Sequence, residues 1–408
     1  MRLHDVDLCD PDVFNDGIPH DYFEFLRREH PVAWHPETDK SSAGPGRGFY
    51  AVTRHADLIQ VSKNPRIFSS WWGTNFPDVP ENTLAGLRLL MLTMDPPQHV
   101  KFRRLVRSGF TPSKIKQLHT DVQTLASHII DKAAKKGSCD FVADLACELP
   151  LQVIAELMGV PQADRHKVFD WTNKLIGFDD PEFHTSAETG QIASAQMWAY
   201  ANELAHDRMR NPGDDLVSKL MTGEVDGQRL TEQEFDSFFL LLAVAGNETT
   251  RNLTTQGMLA LFEHPDEFQR LKDDLSLVNS AVEEMLRWAP AVIYFRRTVT
   301  EDTELGGTPL EKGDKVCLYY ASANRDERVF EDPFRFDITR SPNRHLAFGI
   351  GEHFCLGSHL ARMELQIVFR EILTRLPDIQ PAGEVRRLRS NFIDGIKEMP
   401  VRFTPEAN

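Results

Sequence analysis

The 408-residue sequence has no Cys-x-x-Cys pair, and its five cysteines (Cys9, Cys139, Cys147, Cys317 and Cys355) are scattered. That pattern gives neither a disulfide framework nor a zinc ribbon, and it suits a reducing, cytoplasmic setting. No apolar run is long enough to span a bilayer. The start, Met1-Arg2-Leu3-His4-Asp5-Val6-Asp7, carries charge at once, so neither a signal peptide nor a membrane anchor is expected. Internal repeats, low-complexity tracts and linkers are also missing. Basic charge is in deficit, with 46 Lys and Arg against 61 Asp and Glu and a net charge of −15. Such a balance argues against general nucleic-acid binding. One stretch reverses it. From Pro96 to Thr120 there is no acidic residue, while Lys101, Arg103, Arg104, Arg107, Lys114 and Lys116 are basic. That patch is either a solvated helix face or a docking surface for an acidic partner.

What is present describes a globular chain with a core large enough to enclose a cofactor: 41% hydrophobic and 26% charged residues. The spacing predicts an amphipathic helix over 21–30, a strand over 48–52 and a loop over 41–48. Mostly helical chain follows from His99 to Asn211, with breaks at Thr111-Pro112, Gly137, Pro161 and Asp179-Asp180-Pro181. A long apolar helix is predicted from Thr231 to Glu263, opened by the capping box Thr231-Glu232-Gln233-Glu234 and stopped by Pro265. Another spans Leu275 to Trp288. Short strands over 295–300, 303–305 and 315–320, and a hairpin at Asp394-Gly395, complete the reading. The expected fold is one mainly helical α+β unit over residues 1–408.

Cys355 sits in Phe348-Gly349-Ile350-Gly351-Glu352-His353-Phe354-Cys355-Leu356-Gly357, at the mouth of a helix predicted from Leu356 to Leu376. A lone cysteine is usually a small buried hydrophobe. A glycine-rich turn before a helix can also hold phosphate, but this one lacks the Gly-Lys-Ser/Thr ending and opens no βαβ unit. A helix N-terminus suits a thiolate. Gly349, Gly351 and Gly357 would let backbone approach a flat macrocycle, and Phe348 could cover one side of it. The pattern Phe-Gly-x-Gly-x-His-x-Cys-x-Gly resembles the haem-binding loop of the cytochrome P450 family.

Further segments carry that resemblance in the family's order along the whole chain. Inside the long helix, Ala245-Gly246-Asn247-Glu248-Thr249-Thr250 puts an acid beside hydroxyls where burial is costly. Gly246 lowers helix propensity, and Thr249 can bond the carbonyl of Ala245 and open the helix. The resemblance gives Thr249 the role of positioning dioxygen and Glu248 the entry to a proton relay. Glu284-Met285-Leu286-Arg287 pairs an acid and a base at i, i+3. The family's matching pair is buried and tied to a further arginine, here Arg340. The run Asp95-Pro96-Pro97-Gln98-His99-Val100-Lys101-Phe102-Arg103 matches the family pattern whose His and Arg reach the haem propionates. This assigns that role to His99 and Arg103, with Arg297 and His353 as the remaining partners. Arg296 points to the other strand face and does not share the role.

The resemblance implies a helical prism with a small β region. It implies haem b (iron-protoporphyrin IX) on an axial thiolate from Cys355, and insertion of one oxygen atom from O2 into a C–H bond. Electrons would come from a separate ferredoxin and its NAD(P)H-dependent reductase, docking near Lys101, Arg104 and Arg107. Trp72, Phe76, Leu90, Met94, Leu241, Ala245, Val292, Ile293 and Phe392 are expected to line an apolar pocket suited to a lipid-like substrate. The subgroup resembled hydroxylates terminal carbons of sterol side chains, methyl-branched lipids and acyclic terpenes, which implies terminal hydroxylation of a sterol side chain or methyl-branched lipid; a terpene hydroxylase or an alkane or fatty-acid hydroxylase is the alternative. A peroxide-driven peroxygenase and a non-catalytic haem sensor or carrier are the rivals. The intact Glu248-Thr249 pair argues against the first, and an apolar pocket beside a proton relay against the second.

Overall fold

The computed structural model describes residues 1–184, 186, 188–224 and 229–406, with the side chains of 108, 112 and 114 left out. Lys114 of the basic stretch therefore lies outside the described side chains.

The long helix Glu232–Glu263 is the spine of the molecule. Thr231 caps it as expected. Its hydroxyl accepts from the Glu234 N–H at 3.3 Å, and the Glu234 carboxylate accepts from the Thr231 N–H at 2.9 Å. Helices Glu148–Met158, Arg165–Ile176, Thr189–Arg210, Val278–Trp288 and Ser358–Arg375 pack around it. Phe235, Phe238, Leu253, Met258 and Leu261 of the spine enter the main apolar core. Burial on nearly every side explains why this helix has no single apolar stripe and encloses polar residues from Asn247 to Gln256 beside its apolar ones. Pro112–Ala134 lies along Ser358–Arg375.

Strands gather at one side. The largest sheet runs in the order Val32–His35, Phe49–Val52, Lys315–Tyr319, Tyr294–Val299, Phe68–Ser69. Tyr50 pairs with Val316 in parallel, and Arg297 pairs with Val316 antiparallel. Among the described residues no helix is long and apolar enough to cross a membrane.

Several expectations need correction. The stretch from His99 to Asn211 is broken by a strand, Ser138–Asp140, which pairs with Pro400–Arg402, and by a π-helical turn, Phe141–Ala146. The helix expected from Leu275 starts as a 3-10 turn, Leu275–Leu277, and becomes α-helical at Val278. The cysteine-loop helix begins at Ser358 instead of Leu356. No tight hairpin forms at Asp394-Gly395. Arg386–Arg387 pairs with Ile396–Glu398 across a long connection. Within that connection, Asp394 is buried and accepts from the Gln256 side chain at 2.7 Å. A helix side chain thus satisfies the carboxylate that the turn reading would have left in solvent.

Candidate active site

A cavity holding about 1470 Å³ of space, part of it open to solvent, lies between the spine and the cysteine loop.

On one wall stands Cys355. Its N–H donates to the Phe348 carbonyl at 2.9 Å, which closes the loop on itself. Gly349 adopts φ +68°, a conformation open to glycine, and a Cβ on Gly357 would meet nothing within 4 Å. Both glycines line the cavity. Gly351 does not. A Cβ there would stand 2.4 Å from the Ser62 carbonyl, so this glycine serves the approach of two backbones and not of a macrocycle. Burial raises the Cys355 thiol pKa, while the Gly357 N–H, Arg103 and Arg362 act the other way. Burial wins among protein groups, so a cation is needed to hold the sulfur as thiolate. Phe348 also lines the cavity, and the Arg362 guanidinium lies 4.5 Å from the centre of its ring. Arg362 is held by Glu283, which His345 also reaches at 3.0 Å. Burial works against that carboxylate, yet hydrogen bonds from His345 and Arg362 hold it down to about 2. The sequence reading missed this trio; Arg362 stands seven residues past Cys355, about one turn into the helix that starts at Ser358.

A second wall is cationic. His99, Arg103, Arg297 and His353 all line the cavity. The His99 and His353 rings lie 4.2 Å apart. His99 is 1% exposed, and neither of its ring nitrogens has a hydrogen-bond partner. Burial, then Arg103 and Arg297, push its pKa down to about 4. Burial, then Arg297, His99 and Arg103, drive His353 well below its ordinary value. Two neutral imidazoles, two arginines and unspent buried donors make a place for a carboxylate-bearing ligand. The orphaned nitrogens and the open cradle at Gly357 fit a haem with two propionates.

The spine supplies the facing wall. Thr249 donates to the Ala245 carbonyl at 2.6 Å, one turn back, and both residues line the cavity. Gly246 packs closely on the neighbouring helix: a Cβ there would lie 2.7 Å from Ile154 Cδ1, the tip of a side chain that would have to shift. Glu248 is fully buried and turns away from the cavity to an ion pair with Arg251. Burial raises its pKa, and Arg251 and Thr172 oppose the rise. Glu364, which the sequence reading did not single out, opens on the cavity with one carboxylate oxygen unpartnered. Burial alone pushes it up to about 8.

Behind the loop, Glu284 and Arg287 form a buried pair at 2.7 Å, both side chains 0% exposed. Arg340 and Asn343 reach Glu284 at 3.3 and 3.0 Å, and Arg287 also donates to the carbonyls of Asn324, Pro333 and Arg335. A buried pair this fully hydrogen-bonded fixes the loop's supporting meander.

Of the nine residues expected in the apolar pocket, Leu241, Ala245 and Val292 line the cavity. The other six do not. Trp72 is 40% exposed. Phe76 is stacked on Phe49 and packed against Tyr294. Leu90 and Met94 flank the turn Met91–Thr93, which presents Met91 and Leu92 instead. Strand-like alternation turns Ile293 away where Val292 faces in. Phe392 stands behind Phe295, the residue that lines the wall.

The cytochrome P450 family model matches residues 112–385. The chain is 43% identical over 402 residues to a steroid C26-monooxygenase of Rhodococcus jostii (strain RHA1), covering 97% of this chain and 84% of that protein. It is 42% identical over 412 residues to a methyl-branched lipid omega-hydroxylase of Mycobacterium tuberculosis (strain ATCC 25618 / H37Rv), covering 99% and 96%. Among solved structures, a Mycobacterium marinum cytochrome P450 in complex with pseudoionone superposes with a TM-score of 0.92 at 39% identity, over 98% of both chains. With matches that run the length of the chain, the protein belongs to the cytochrome P450 family, and it is a monooxygenase of that haem-thiolate class.

Proposed function

We propose that the protein hydroxylates the terminal carbon of an apolar, lipid-like substrate, a sterol side chain or a methyl-branched lipid. The observation that carries this reading is the division of the cavity wall. Arg103, Arg297, His99 and His353 form its polar end, while Met91, Leu92, Leu241, Leu242, Val292 and Phe295 form an apolar one. The names of the two curated relatives agree with it. An apolar slot that leads one end of a long molecule toward Thr249 favours attack at a chain terminus.

Cys355 would supply the thiolate that holds haem b, with Phe348, Gly349 and Gly357 forming the cradle around it. His99, Arg103, Arg297 and His353 would bind the propionates by charge-assisted hydrogen bonds. When bound, the haem would supply O2 activation, with electron donation from the Cys355 thiolate favouring it. Thr249 holds its hydroxyl at the cavity surface, where it can orient dioxygen and a water. Glu248, buried beside it, can pass a proton inward once Arg251 releases it. Leu241, Leu242, Val292 and Phe295 exclude water and orient the substrate.

Electrons would come from a ferredoxin and its NAD(P)H-dependent reductase. Arg103 donates to the Phe354 carbonyl, which fixes the helix Gln98–Val106 beside the cysteine loop. Lys101, Arg104 and Arg107 are exposed there, and Phe354 is 37% exposed next to the sulfur-bearing residue. A basic rim around an exposed aromatic suits an acidic donor.

The test is an optical titration of the ferric protein with a cholestenone, a methyl-branched fatty acid and linalool, followed by product analysis. A saturable high-spin shift with the sterone or branched acid, and product oxidised at the terminus, is expected. Ring or mid-chain oxidation alone, or a shift with linalool alone, would sink the proposal.

A further inference from the structure

Arg296 and Arg297 are neighbours on one strand and serve opposite faces of it. Arg297 lines the cavity and donates from Nη1 to the Arg296 carbonyl at 2.8 Å. Arg296 is 1% exposed and divides its donors between its own strand, where Nε and Nη2 reach Thr298 Oγ1 at 3.3 and 3.1 Å, and a single loop. Its N–H donates to the Thr74 carbonyl at 2.7 Å. Its Nη1 reaches the carbonyls of Asn75, Phe76 and Pro77 at 3.4, 3.3 and 3.2 Å, and Asp78 Oδ1 at 2.9 Å. Five consecutive residues are thus gathered by one arginine. Asp78 in turn receives Lys315 at 3.3 Å and Arg47 at 3.4 Å. Lys315 is itself buried and paired with Glu37. Two buried cations are therefore balanced by two carboxylates, and Asp78 is the one that belongs to the loop. Its side chain is 45% exposed, so substitution there need not open a hole in the core.

The gathered loop touches the cavity wall by two routes. Phe76 packs on Tyr294 at 5.7 Å, Tyr294 on Phe392 at 5.5 Å, and Phe392 on Phe295 at 5.7 Å between ring centroids. Phe295 lines the apolar end. Along the chain, the same loop leads into the helix Glu81–Leu87 and the turn Met91–Thr93, where Met91 and Leu92 line the cavity. A loop fixed at 74–78 gives that segment a rigid starting point, and a loop set free there loosens both routes.

We infer that Arg296 and Asp78 form a clamp that positions the loop 74–78 and the segment after it, and thereby governs passage of long apolar molecules into the cavity. Both are positioning residues. The clamp stands independently of which lipid is the natural substrate.

The test uses the haem-loaded protein and its Asp78→Asn variant, with Arg296→Lys as a second variant that keeps the charge but loses the fork. Amide hydrogen exchange should rise by about tenfold or more over 74–93 in Asp78→Asn, and stay unchanged in Ser358–Arg375. Binding of 1-dodecylimidazole, followed optically, should speed up several-fold in association and dissociation, while binding of plain imidazole stays as it was. Unchanged exchange over 74–93, or a rise spread equally over the core, overturns the clamp. So does a change equal for both imidazoles, since a gate must discriminate by length. The exchange measurement needs no substrate, so failure of the lipid assignment and failure of the clamp give different results.

Discussion

Glu364 is an acid that the interior keeps protonated. Its pKa of about 8 lies above the ordinary 4.5 because burial penalises the anion and no cation stands near enough to offset this. The folded form holds the proton where the unfolded chain has released it. Its contribution to stability therefore falls as pH rises from about 4.5 to 8, at up to ~1.4 kcal/mol per unit. Glu364→Gln should be indistinguishable from the parent at pH 5 and melt a few degrees higher at pH 8. An equal difference at both pH values would show that the carboxyl does not titrate in the folded protein. The residues a reader could pick out beforehand were those in short fixed patterns: Cys355 in its loop, His99 and Arg103 four apart, and Thr249 after an acid. Glu364 carries no such mark. Its role follows from which face of Ser358–Arg375 meets the cavity, and that depends on packing. The same holds for Met91 and Leu92, which a 3-10 turn brings inward in place of Leu90 and Met94.

Two glycines of the cysteine loop show how an element divides its labour. Gly351 has φ +78° and a Ser62 carbonyl where its Cβ would stand, whereas Gly357 has open space. Gly351→Ala should cost about 1–3 kcal/mol in thermal or denaturant unfolding, whether haem is bound or not. Gly357→Ala should leave the haem-free protein as stable as before and weaken only haem retention, read by transfer of haem to apomyoglobin. Equal losses in both variants would refute the division. Elements with a local signature were legible: the capped spine, the strand at 49–52, the helix ending before Pro31. The strand Ser138–Asp140 was not, because its partner Pro400–Arg402 lies at the far end of the chain. The turn at Asp394-Gly395 misled for a related reason, since Gln256 of the spine draws Asp394 inward and no hairpin closes.

Across the whole molecule, a net charge of −15 coexists with exposed Lys101, Arg104 and Arg107 beside the cysteine loop. An acidic donor of the kind proposed would be repelled by an acidic surface and drawn to this basic part of it. Lys101→Glu with Arg107→Glu should slow reduction by ferredoxin roughly tenfold at low salt, with the gap closing as salt rises and ligand-induced optical shifts unaltered. Reduction rates that match the parent at every ionic strength would place the docking face elsewhere. The sheet that carries Arg296 and Arg297 also bears on how this chain comes into being. Phe49–Val52 finds its parallel neighbour only in Lys315–Tyr319, and the Cys9 carbonyl accepts from Asn391. At about 5–20 residues per second of synthesis, the early strand waits roughly 10–50 s for its partner. Throughout that interval Phe49, Ala51 and Val52 can lie against Val32–His35 and the first helix, but lack the strand that completes their burial. The haem pocket is thus among the last features a nascent chain can complete, since Arg297, His353 and Cys355 all emerge after most of the helices.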